Sequence, residues 1–435
     1  MVDAVTFPAR PPAPPGTPRA RPAPAPPGVK PIVRWTLALL VFSIPFEMPG
    51  RAFPVEIPTL TAGIFLVATL FQLGACYARR PPALLWFALY LYAFAVSAVW
   101  NASGAVATDL NDASYWGEVT HLFVLLLQVV LVFWAASNLL RVRAVARTAL
   151  MTLGVACTVR ALLPVLGIAR TAHVQWGGGE RISALGQNAN SASMILAAGL
   201  VALVGLHYGT ERPPVRPRWL ICPLVALIGL SAVNTGSRGG LLALGAGLVV
   251  FMFQRTRSVW VSVRNALVVA LAGGLVIFAT YQSDLMRRRF EESMEGGSLA
   301  GRERIYPALL AMVKERPVLG FGPVNNKYEL GIRLDERRFR RRDAHNLVLE
   351  VLSSTGLAGA IPFLVAVGLC VTAAWRARRS GHGTLPLAMA AAVLTANMSG
   401  NWIVSKLLWL VLAYAVASQG YGPGIGRHPP PAASK

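Results

Sequence analysis

The chain has 435 residues, 41 of them Lys or Arg and 19 Asp or Glu, so its formal charge is +22 although only 14% of residues are charged. A soluble chain of this size folds as about two or three domains under a skin drawn from roughly 25% charged residues. Here 54% of residues are apolar and the mean hydropathy is +0.52, which excludes a soluble enzyme. A basic balance of this size suits nucleic acid, but the hydrophobicity points instead to a multi-pass membrane protein with arginines in its connections. Cys76, Cys157, Cys222 and Cys370 lie in apolar runs without metal-ligand spacing and read as small hydrophobes.

Residues 1–31 hold eleven prolines and no apolar run, a composition that predicts an extended, disordered tail rather than a signal peptide. The tail at 420–435 reads the same way. Between them lie twelve apolar segments suited to a ~30 Å hydrocarbon layer. They fall at 32–49, 56–77, 82–100, 119–138, 145–168, 190–208, 219–234, 239–254, 259–281, 346–376, 384–399 and 402–419. The seventh, eighth and eleventh are short, and the tenth is long enough to begin with a bent turn around Gly356 and Gly359. The predicted fold class is an all-α polytopic membrane protein with about 12 transmembrane helices: nine over 32–281, three over 346–419, and one large structured loop over 282–345.

Short connections after even-numbered segments carry the arginines, as in Arg79/Arg80, Arg141/Arg143/Arg147 and Arg376/Arg378/Arg379, which predicts cytoplasmic termini. The loop over 282–345 then faces the periplasm of a Gram-negative cell. It holds fourteen Lys or Arg against ten Asp or Glu. Long loops cross regardless of charge. Its stretches 286–294, 302–316 and 328–343 read as two or three surface helices, the second stopping before Pro317.

Four polar clusters fall at the periplasmic end: Arg181 with GQNANS, Arg238 in NTGSRGG, Arg302 in GRERIY and His345 in DAHN. Singly, such arginines read as snorkelling anchors and such a histidine as structural. Their convergence on one side favours a site. Gly236, Gly239 and Gly240 let the backbone around Arg238 approach a ligand, and a guanidinium fork matches phosphate oxygens. Asp109 and Asp112, with Glu118, make a poor hard-cation site, so no metal is expected. P-loop, zinc-protease and serine-hydrolase motifs are absent from the sequence. Arg160, Glu350 and Lys406 fall in or near apolar segments, where ionisable side chains are functional by default. His345 and Glu350 lie about 140° apart on a helix and make no obvious dyad.

Together the clusters resemble the O-antigen ligase and polymerase superfamily over Arg181 to Gly359. The pattern comprises Arg181, Gly186, Asn188 and Asn190; then Ser237, Arg238 and Gly239; then Arg302 and Tyr306 leading to Pro317, Gly320 and Gly322. His345, Asn346, Gly356 and Gly359 complete it and look most like the ligase branch. Tyr306 stands where the family often has Trp. The resemblance implies a metal-independent integral-membrane glycosyltransferase architecture and a multi-pass protein of the bacterial inner membrane, without a cofactor. Its donor is O-antigen on undecaprenyl diphosphate and its acceptor a sugar hydroxyl of lipid A core. His345 is then the base, Arg238 and Arg302 stabilise the leaving diphosphate, and Arg181, Asn190, Ser237 and Asn346 bind substrate. Arg338 and Arg341, in the arginine cluster at 337–342, are expected to attract anionic lipid or core phosphates. The other readings are an O-antigen polymerase, a protein O-oligosaccharyltransferase of the same superfamily, and a lipid-linked saccharide flippase. The last would favour internal repeats, which the sequence lacks.

Overall fold

The computed structural model describes residues 28–47, 55–104, 114–175, 179–208, 218–253, 259–284, 287, 291, 301–334, 341–379 and 383–419. Each of the twelve apolar segments carries a helix. The first nine are α1 (Pro31–Ser43), α2 (Ile57–Thr69) continued by α3 (Leu73–Cys76), α4 (Pro82–Trp100), α5 (Tyr115–Leu139), α6 (Arg143–Val165), α7 (Ala189–Tyr208), α8 (Cys222–Asn234), α9 (Arg238–Val250) and α10 (Val259–Gln282). The loop contributes α11 (Arg302–Glu315) and α12 (Asn325–Arg333), and the chain closes with α13 (Leu347–Ala377), α14 (Leu385–Asn397) and α15 (Lys406–Ser418). Proline sits in the first turn of α1, α2, α4, α8 and α14, where its missing N–H leaves no intrahelical bond unmade.

By length and composition six of these can cross a membrane: 57–76, α4, α5, α6, α7 and α13. The first, seventh, eighth, eleventh and twelfth segments hold apolar helices of 10–17 residues. The helix positions agree with the apolar pattern, while helix length supports fewer full spans than twelve. The all-α expectation also misses one antiparallel hairpin, β1 (Arg170–Gln175) with β2 (Gly179–Ala184), inserted after α6 ends near Gly167 at φ 72°. The proposed tail at 420–435, most of that at 1–31, and most of the helix expected at 286–294 lie outside the described residues.

The core of the bundle centres on Phe87, which packs its ring against Phe133, Phe363 and Trp409, tying α4 to α5, α13 and α15. Residues 301–334 build a second, smaller core from Ile305, Leu309, Met312, Phe321, Leu330 and Leu334. The guanidiniums of Arg316 and Arg333 flank Phe321, and Arg333 clasps Glu315 through two bonds of 2.6 Å. Residues 301–334 thus fold around a core of their own.

Helix α13 bends at Gly356, whose φ of 59° and ψ of −159° break the helical backbone. The bend is filled by the segment 317–322. Leu357 and Ala358 N–H groups, which a straight helix would aim at Ser353 and Ser354, donate instead to Pro317 O (2.7 Å) and Val318 O (3.0 Å). The released carbonyls of Ser353 and Ser354 accept from Phe321 and Gly322 N–H groups, both at 2.9 Å. A side chain at Gly320 would lie 2.6 Å from Ser353 O, and one at Gly356 would strike Val318 O. Ser97 of α4 bonds Leu319 O and Ser354 O, securing the joint from a third side.

The three ionisable residues in apolar segments all have structural partners. Buried Arg160 donates to Pro45 O and to Gln187 Oε1 (2.6 Å), joining the end of α6 to the turn after α1 and to the turn before α7. Lys406 donates to Thr59 Oγ1, and Glu350 Oε1 accepts from Asn326 Nδ2 at 3.1 Å.

Candidate active site

Three helices begin around one turn. Ser237 caps α9, its hydroxyl accepting from Gly240 N at 3.2 Å, so the next residue, Arg238, occupies the first helical position. Asn346 caps α13 by accepting from Val348 N (3.0 Å) and Leu349 N (3.1 Å), which places His345 just ahead of the helix. Gly301, at φ 84°, precedes α11 and its first residue Arg302. All three meet at Met398–Ser399, between α14 and α15. Arg302 Nη2 donates to Ser399 O (3.1 Å), Asn346 Nδ2 to Met398 O (3.4 Å), and the Gly239 backbone packs directly on the Ser399 side chain. The Tyr306 hydroxyl lies 3.1 Å from Met398 O and 3.5 Å from His345 O. Helix N-termini carry positive partial charge and unsatisfied N–H groups, so their convergence with two arginines suits an anion.

Arg302 has capacity to spare: its Nε is buried and bonds no described residue. The ring of His345 makes no hydrogen bond to a described residue, and the residue holds a left-handed backbone at φ 49°. Burial pulls the His345 pKa below the usual imidazole range; Asp343 opposes this, while Arg302, Arg342 and Lys327 add to it. A neutral imidazole with an uncommitted nitrogen is the form a general base requires.

The other sequence-derived candidates divide by position. Arg181, buried on β2, donates to Thr235 O and to Asn190 Oδ1, both at 2.7 Å, and so braces the turn leading to Arg238. Asn190 accepts from Arg181, while Ser237 and Asn346 accept from backbone N–H groups of the two helix starts. Arg341 faces α5 instead, pairing with Glu118 at 3.1 Å beside a cavity of about 370 Å³ lined also by Ser114, Gly117, His121 and Leu122. Arg338, Asp109 and Asp112 lie outside the described residues. Among the described residues no three His, Cys, Asp or Glu side chains gather as a metal-binding group. Met398, Ser399 and Lys327 are site residues that sequence reasoning missed; the polar turn MSGN between two apolar segments was the available signal.

The fold is that of a polytopic helical membrane protein in which the starts of three helices, with Arg238, Arg302 and His345, converge on one turn. The family model described as O-Antigen ligase matches residues 223–364, from α8 into the second half of α13, and supports membership of the O-antigen ligase superfamily. That span contains Arg238, Arg302, His345 and the Gly356 joint. No curated protein matches the chain.

Proposed function

We propose that this protein is an O-antigen ligase, moving O-antigen from undecaprenyl diphosphate to a sugar hydroxyl of lipid A core at the periplasmic face of the inner membrane. The observation that carries the reading is the meeting of three helix N-termini with Arg302, whose buried Nε bonds no described residue, beside His345, whose ring also bonds no described residue. The diphosphate of the donor lies against Arg302, Arg238 and the helix starts. The acceptor hydroxyl attacks the anomeric carbon opposite the diphosphate and gives its proton to His345. The bond from that carbon to the phosphate oxygen breaks, its electron pair leaves on the diphosphate, and the anomeric centre inverts. Cations aimed at that growing charge stabilise the transition state more than the bound donor. Arg181, Asn190, Ser237 and Asn346 act by fixing these helix starts, and Arg338 and Arg341 attract anionic headgroups.

The test is an assay with purified protein, lipid-linked O-antigen and either lipid A core or a second lipid-linked chain. Transfer to lipid A core is expected. Transfer only to the second chain would make the protein a polymerase, and movement of intact donor across vesicles without transfer would make it a flippase.

A further inference from the structure

His345 is surrounded by charges from three elements: Arg342 and Asp343 on its own segment, Arg302 on α11 and Lys327 on α12. Asp343 alone is anionic. A carboxylate near an imidazole normally favours the imidazolium, which cannot accept a proton. Here that carboxylate is already engaged, because Lys327 Nζ lies 2.7 Å from Asp343 Oδ1. The pairing is built in twice, since Arg342 N also donates to Lys327 O at 3.0 Å and so fixes the segment against α12. Lys327 is itself bordered by Glu350 from α13 and by Arg341. Its side chain is mostly buried, whereas that of Asp343 is 53% exposed.

We propose that Lys327 and Asp343 form a charge-compensating pair that keeps His345 neutral at physiological pH, making both positioning residues that act through the base. The inference rests on the reading of His345 as that base. The directions of titration agree: burial opposes ionisation of Asp343, yet Lys327 holds its carboxyl below the usual range, while burial opposes charge on Lys327 but Glu350 and Asp343 hold its ammonium above its own. Lys327→Gln removes a cation and releases the carboxylate, two changes that both favour imidazolium. Asp343→Asn, nearly isosteric and at a half-exposed position, removes the one group that favours it.

The experiment uses the full chain in nanodiscs. Diethyl pyrocarbonate reacts with neutral imidazole, so its rate of modification at His345, read by peptide mass spectrometry across pH 5–9, titrates the residue without reference to activity. Initial transfer rates are measured over the same range. At pH 6 Lys327→Gln is expected to lower both rates about 3–10-fold, with the deficit closing at high pH, and Asp343→Asn to move both profiles to lower pH. An unchanged His345 titration in Asp343→Asn, or one displaced upward, overturns the proposal, and this variant decides the matter if Lys327→Gln does not fold. Modification profiles that move as stated while transfer profiles stay fixed would uphold the charge pair and remove His345 as the base.

Discussion

At His345 a non-glycine residue holds a left-handed backbone, a conformation that costs about 1–3 kcal/mol and persists because its surroundings enforce it. The enforcing groups are the Asn346 cap and the Met398–Ser399 turn, so geometry here is bought with fold stability. His345→Ala should therefore reduce single-turnover rate on the order of 10²–10⁴-fold while leaving donor binding nearly intact. Arg302→Ala should weaken donor binding and turnover together, and Arg302→Lys should recover only part, lacking the planar fork. Because the His345 pKa is lowered, the acid limb of the rate profile should fall below the ordinary imidazole range, and activity should drop as pH falls through it. The arginines and histidine of the site were legible because their chemistry is in their side chains. Met398 and Ser399 were not, since they contribute backbone carbonyls that any residue could supply. Lys327 was hidden as one basic residue among the fourteen of its loop.

Among the elements, the joint between α13 and residues 317–322 explains why glycine stands at 320 and 356. A side chain at either position meets backbone rather than a yielding side chain, and both residues need positive φ, 63° at Gly320 and 59° at Gly356. Gly356→Ala should cost about 4 kcal/mol or more, read as loss of folded protein by fluorescence-detected size exclusion. Gly368→Ala, where nothing lies within 4 Å, should be tolerated and controls for substitution in the same helix. The bend itself was visible in the sequence, because a segment of about 31 residues with a glycine pair exceeds one hydrocarbon thickness. Its partner was not, since nothing in Pro317–Gly322 declares which helix its backbone will complete. The hairpin at 170–184 was missed for a related reason: it is a short insertion between apolar runs, and hydropathy reports where the runs stop rather than what lies between them.

For the whole molecule, the arginine-rich connections and the candidate site occupy opposite ends of the bundle. Arg79 meets Asn138 at one end, while Arg302, Arg181 and Arg160 reach Ser399, Thr235 and Pro45 at the other. A cysteine at the exposed position of Lys314 should react with an impermeant maleimide from the periplasmic side in intact spheroplasts. Reaction only after permeabilisation would turn the site to the wrong leaflet for the proposed donor. Transfer activity should also persist in EDTA; its loss and return with Mg²⁺ would redirect attention to Asp109 and Asp112. The Gly356 joint finally bears on how the protein is made. Hydrocarbon offers no partner to an open backbone group, yet α13 leaves two N–H and two C=O groups open until residues 317–322 reach them. Those residues are synthesised first, in the connection that precedes the helix. The helix that follows is therefore incomplete when it enters the bilayer, and it matures only once its own predecessor folds back onto it, so membrane integration and loop folding are successive stages of a single assembly step.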